Sequence, residues 1–105
     1  MTPRWMSPVA FALFGLLSVS AHAETFNVTI DKLAFAPLDL TAKVGDTVEW
    51  VNKDILAHTA TATNKDWDVA IAPKQTVRLV LKKAGTVDYF CKYHPNMKGR
   101  VVVAP

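Results

Sequence analysis

One cysteine in 105 residues leaves no partner for an intramolecular disulfide. Small secreted domains usually staple themselves with paired cysteines, so a lone thiol in an oxidising compartment is buried, paired between chains or held by a metal. Long apolar runs are missing too. Val9–Val19 is apolar for eleven residues, short of the roughly 20 that a membrane-spanning helix needs. A concentrated basic stripe is absent. Lys and Arg number 12 against 9 Asp and Glu, a net charge of +3, and so mild a balance argues against nucleic acid as a partner. There is no Cys-x-x-Cys-His for covalent haem attachment. The chain also has no internal repeat, low-complexity tract or linker.

Residues 1–23 read as a secretory signal peptide. Arg4 gives the positive start, Val9–Val19 the apolar run, and Ala21-His22-Ala23 a small-x-small cleavage site before Glu24. No cysteine near the end of this leader offers a lipid attachment point. The expectation is an exported, periplasmic domain over residues 24–105 that has no membrane span once the leader is removed. A chain of that length makes one domain with a small core.

Period-two alternation of apolar and polar residues runs through that domain, which is the signal of strands with one buried face. Phe26, Val28 and Ile30 share a face; so do Leu38, Leu40, Ala42 and Val44. Val48 and Trp50, Val77, Leu79 and Leu81, and Val87, Tyr89 and Cys91 repeat the pattern, and Val101-Val102-Val103 forms a last strand. Gly45-Asp46, Pro73-Lys74, Ala84-Gly85 and Lys98-Gly99 mark turns between the runs. Many short strands at this spacing predict an all-β sandwich or barrel with no helix longer than about one turn. Residues 60–68 lack a clean period and read as a loop or an irregular edge.

The residues with metal chemistry are concentrated in one loop. Cys91-Lys92-Tyr93-His94-Pro95-Asn96-Met97 sets a thiolate, an imidazole and a thioether three residues apart. Beyond the leader the chain has Cys91, His58, His94 and Met97, and no other Cys, His or Met. One Cys and two His in a trigonal array with a weak axial Met is the ligand set of a mononuclear blue-copper site. Structural zinc prefers a closed tetrahedron of Cys and His and rarely recruits Met. A cysteine nucleophile paired with His58 or His94 would not require Met97. No carboxylate or amide that could orient such a base stands out beside either His. Thioether and thiolate favour Cu(I), and imidazole accepts either oxidation state. The mixed set therefore compromises between the two states, which suits electron transfer and leaves no obvious open position for a substrate.

These residues resemble a known family. The stretch from Gly85 to Cys91 and on through His94-Pro95-Asn96-Met97-Lys98-Gly99-Arg100-Val101-Val102-Val103 is similar to the cupredoxins, the plastocyanin and amicyanin group. Phe35-Ala36-Pro37 and Val44-Gly45-Asp46-Thr47-Val48-Glu49-Trp50-Val51-Asn52 fit the same pattern. The resemblance covers nearly the whole domain, and the gap between His94 and Met97 is the short amicyanin-type loop. It implies a Greek-key β-sandwich or barrel of the cupredoxin type, with one copper ion held by His58, Cys91, His94 and Met97. Members often carry Asn directly after the first His, where this chain has Thr59. The Thr59 N–H can still support the Cys sulfur, and its hydroxyl can replace part of the Asn tether. Amicyanins carry a large apolar residue where this chain has Asn96, so the identity of the partner stays open.

The reading that follows is a soluble electron carrier, not an enzyme, that passes single electrons through the exposed edge of His94. The alternative is a periplasmic copper-binding or copper-delivery protein without a carrier role, whose usual extra clusters of exposed Met or His are absent. The expected partner is another redox protein, a dehydrogenase, an oxidase or a c-type cytochrome, met by a monomer. Leu56, Ala57, Tyr93 and Pro95 are expected to form an apolar docking surface rimmed by Lys53, Lys92, Lys98 and Arg100. Asn52 is a candidate brace for the ligand loop.

Overall fold

A computed structural model of the chain describes residues 22–105. The expected leader falls outside the described residues except for His22 and Ala23, which are exposed and belong to no regular element. Among the described residues there are nine strands and no helix: β1 Thr25–Asp31, β2 Ala34–Ala36, β3 Asp39–Lys43, β4 Thr47–Asn52, β5 His58–Ala62, β6 Asp68–Ile71, β7 Thr76–Val80, β8 Gly85–Phe90 and β9 Lys98–Ala104. They form two sheets, one in the order β2-β1-β4-β7 and the other β3-β9-β8-β5-β6. The sandwich expected from the alternation is the one observed.

Each sheet turns its apolar face inward. Val28 and Ile30 of β1 and Val48 and Trp50 of β4 are fully buried, and β1 and β4 run parallel with Val28 opposite Trp50. Val87 and Tyr89 of β8 and Val101 and Val103 of β9 supply the facing layer. Trp50, Trp67 and Tyr89 stack against one another with ring centroids 5.5–5.7 Å apart, and Phe35 meets Tyr89 edge-on at 4.8 Å. The Trp50 Nε1–H donates to the Tyr89 hydroxyl at 3.4 Å, so neither polar tip is orphaned. Burial pushes the Tyr89 phenol up to about 12, against the opposing effect of the Trp50 bond.

Two local expectations are corrected. Residues 60–68 are a loop only in part: 60–62 complete β5, 63–67 form the turn that follows it, and Asp68 opens β6. Alternation fails there because His58, Thr59, Ala60 and Ala62 of β5 are all buried, on both faces of the strand. A strand covered on both faces has no polar side to show. Leu38 and Val44 do not share the inner face with Ala42. They are 59% and 43% exposed, because β3 is an edge strand that spans only Asp39–Lys43 and both residues lie beyond its ends.

The topology gives the sandwich two distinct poles. The ends of β4, β6 and β8 and the starts of β5 and β9 meet at one pole, where His58 pairs with Ile71 and Phe90 pairs with Lys98. The Gly45-Asp46 turn, the start of β8 and the end of β9 meet at the other.

Gly99 faces Tyr89 across the β8–β9 ladder, and a Cβ there would run into the Tyr89 ring. The side chain that covers this glycine belongs to the central aromatic cluster, so it has little room to yield. Gly99→Ala should therefore destabilise the domain by about 1–3 kcal/mol, the usual range for overpacking. A lowered urea midpoint at unchanged slope is the measurement that checks it.

Candidate metal centre

Alternation along β8 sends Val87, Tyr89 and Cys91 inward. Cys91 is the first residue past the strand and is fully buried. The chain then closes two successive turns: the His94 N–H donates to the Cys91 carbonyl at 3.2 Å, and the Met97 N–H to the His94 carbonyl at 2.8 Å. The Cys91 N–H donates to the Met97 carbonyl at 3.1 Å and pins the ends of the loop together. Three-residue spacing is thus one turn per ligand type, and it brings all three side chains of the loop to one place.

His58 arrives from the start of β5 and is 1% exposed. Its Nδ1 lies 3.7 Å from the Cys91 Sγ, and the His94 Nδ1 lies at the same distance. The two imidazoles stand 5.0 Å apart, centroid to centroid. One donor atom from each of His58, Cys91 and His94 falls within 4.8 Å of the others. Donors bonded at about 2.0–2.3 Å to one ion stand roughly 3.5–4 Å from each other, so the two sulfur–nitrogen separations suit a single shared ion. Met97 is 3% exposed and lies beside these three. The group is consistent with one type 1 copper site, as its soft and borderline donors suggest. His58 and Cys91 are buried, and His94 is half-buried and reaches the surface.

The surroundings fix these side chains. The Thr59 N–H donates to the Cys91 Sγ at 3.4 Å. The Thr59 hydroxyl accepts the Lys92 N–H at 2.9 Å, which ties the ligand loop to β5 in the manner expected for a replacement of Asn. Asn52 is a brace, but of the β4–β5 loop that leads to His58 and not of the Cys91–Met97 loop. Its Nδ2 donates to the Leu56 carbonyl at 2.9 Å and the Ala72 carbonyl at 3.1 Å, and its Oδ1 accepts the Asp54 N–H at 2.9 Å.

Asp54 was not anticipated. No carboxylate stood out beside either His in the sequence, yet Asp54 Oδ2 lies 2.8 Å from His58 Nε2. It fixes the tautomer: the proton sits on Nε2 and leaves Nδ1 free to face the sulfur. Asp54 is itself held by the N–H groups of Lys32 at 2.8 Å and Leu33 at 3.1 Å, from the β1–β2 turn. Burial pushes its carboxyl up, but the Leu33 N–H, the His58 ring and the Lys32 N–H together hold it below its ordinary value. The available signal was its spacing, four residues before His58. That spacing carries no meaning in a loop until the loop's path is known.

Around the site, Ile55 is 80% exposed, Tyr93 61% and Leu56 46%. Ala57 and Pro95 are exposed as well. Ile55 extends the apolar surface beyond the residues singled out in the sequence. The basic rim is less free than its composition suggests. Lys92 pairs with Asp68 at 2.8 Å and Arg100 with Asp88 at 2.7 Å.

A family model described as the cupredoxin-like domain matches residues 5–103. Amicyanin of Paracoccus denitrificans is 35% identical over 82 residues, which cover 72% of this chain and 63% of that protein. A methylamine utilization protein, MauL, of Methylorubrum extorquens is 36% identical over 100 residues, 91% of this chain and 87% of that one. The crystal structure of amicyanin from Paracoccus versutus superposes with a TM-score of 0.65 at 33% identity, covering 81% of this chain and 84% of that chain. The chain spans 63–66% of the length of the two Paracoccus amicyanins it matches.

Removing the carboxylate behind His58 should loosen that ring without emptying the core. Asp54→Ala should weaken copper binding by roughly 10–100-fold, the usual effect of losing such a partner. Competition against a chelator of known affinity measures the loss, and an unchanged far-UV circular dichroism spectrum separates it from misfolding.

Proposed function

This chain belongs to the cupredoxin-like family, and on that premise we propose that it is a periplasmic type 1 copper protein that carries single electrons between redox partners. Its ligands are His58, Cys91, His94 and Met97. The single observation that carries the reading is the convergence of His58, Cys91 and His94 within 4.8 Å, with buried Met97 alongside. Copper bound there supplies a Cu(I)/Cu(II) couple in one-electron steps. The residues supply the rest. Asp54 holds the His58 ring, Thr59 the Cys91 sulfur, and the paired turns the spacing of the loop. A pocket set in advance needs little reorganisation when charge changes, which is the requirement for fast transfer. His94 is the one member of the trio that reaches solvent, so it is the exit for the electron.

The domain proposed to fold around this site is residues 24–105, following a leader over residues 1–23. Its role is that of a carrier and not an enzyme, in keeping with amicyanin and plastocyanin relatives. The partner is a redox protein, a dehydrogenase, an oxidase or a c-type cytochrome. The methylamine utilization relative makes an amine-oxidising system the first place to look. Docking is proposed to rest on the apolar surface of Ile55, Leu56, Tyr93 and Pro95, because two of the four rim cations are already paired. Among the described residues no helix is long and apolar enough to cross a membrane.

The copper-loaded protein should show an intense visible thiolate-to-copper charge-transfer band, and Cys91→Ser should abolish it; absorption spectroscopy of the two proteins checks the ligand.

A carrier must also hold its copper in both oxidation states. Voltammetry should give a reversible one-electron wave, and copper should stay bound through a cycle in the presence of a Cu(I) chelator. Release on reduction would instead favour the delivery role.

A further inference from the structure

Asp46 lies at the pole opposite the ligand loops and takes no part in the site. It is 2% exposed. Both of its carboxylate oxygens are used: Oδ1 accepts the Glu24 N–H at 2.9 Å, and Oδ2 accepts the Lys43 N–H at 2.8 Å. The backbone around it is equally engaged. The Thr47 N–H donates to the Glu24 carbonyl at 2.9 Å, and the Leu81 N–H to the Asp46 carbonyl at 2.8 Å. The N–H groups of Glu24 and Lys43 hold the Asp46 carboxyl below its ordinary value, against the effect of burial; the Lys43 ammonium contributes least. The charged side chain that acts on it is thus Lys43, from the end of β3, while Glu24 reaches it through its backbone N–H. A buried carboxylate hydrogen-bonded only by neutral amides is unusual, since such groups are rarely buried unless paired.

Glu24 is also the residue that follows Ala21-His22-Ala23, the small-x-small site. His22 and Ala23 are exposed and outside any strand, so the Ala23–Glu24 bond is reachable. Hydrolysis of that bond puts the hydroxyl of water on the Ala23 carbonyl carbon and a proton on the Glu24 nitrogen. The nitrogen becomes a primary amine, and at neutral pH it takes up a second proton to become an ammonium. We infer that Asp46 is a built-in receptor for this new amino terminus: leader cleavage turns a neutral N–H···O contact into a part-buried ion pair that fastens the start of β1 to β4. The mature protein is therefore more stable than the same domain with its leader attached. The inference rests on cleavage at Ala23 and is independent of copper.

The test compares the chain beginning at Glu24, with a free amine, with the same chain acetylated at that nitrogen. Each is made with Asp46 and with Asp46→Asn. Acetylation keeps the N–H and removes the charge. At pH 6.5 it should raise the unfolding equilibrium constant by roughly fivefold or more, the margin by which a charged hydrogen bond exceeds a neutral one. In the Asp46→Asn background it should do little. The ammonium's folded pKa is raised by its partner, so its stabilisation is full below the ordinary α-amino value of about 8 and is lost as pH rises through the folded value. The gap between free and acetylated chains should close in that alkaline window. If Asp46→Asn does not fold, an NMR titration of the Glu24 amine in the unaltered protein decides, and it should read above the ordinary value. A secreted protein that begins elsewhere, an amine that titrates at its ordinary value, or an acetylation effect equal in both backgrounds would overturn the inference.

Discussion

The buried sulfur of Cys91 is the constraint that the rest of the structure answers to. A metal-bound cysteine is a thiolate, and a charge in an apolar interior is tolerated only when it is paired and hydrogen-bonded. Here the Thr59 N–H supplies one donor, and two imidazole nitrogens stand 3.7 Å from the sulfur, where they would share an ion with it. Each of these has to be delivered by a different piece of backbone. β8 brings Cys91, β5 brings His58 and Thr59, and the β8–β9 turns bring His94 and Met97. The sheet order that puts β8 beside β5 is therefore a requirement of the site as much as of the core.

The two poles divide the work. At one, side chains with lone pairs converge, and a second layer of Asn52, Asp54 and Thr59 fixes their orientation. At the other, an anion is buried among backbone donors and anchors the first strand. Between them lies an aromatic cluster of Trp50, Trp67, Tyr89 and Phe35. Rigidity at the metal pole depends on that cluster, because Tyr89 is two residues from Cys91 on the same face of β8.

Much of this was legible in the sequence. Strands with one polar face announce themselves by alternation, as β1, β4 and β8 do. The ligand loop was legible because its residue types are rare in this chain and evenly spaced. The rest failed for physical reasons. β5 is covered on both faces, so its row of small and polar residues carries no period. Leu38 and Val44 kept the rhythm of β3 but lie past its ends, where the sheet no longer covers them. Asp54 was invisible because its role depends on how the β4–β5 loop folds back toward the β1–β2 turn. Lys92 and Arg100 read as free cations, since their partners Asp68 and Asp88 are 24 and 12 residues away in sequence.

The placement of β9 has a consequence for how the chain is made. It is the last strand in sequence, yet it lies inside its sheet between β3 and β8, and it pairs in parallel with a strand some sixty residues earlier. Pairings so distant along the chain are slow to form. Until β9 arrives, β3 has no neighbour and the metal loop has no second anchor. A polypeptide emerging residue by residue can pair β1 with β4 early, but it cannot knit β3 to β8 until β9 has left the ribosome.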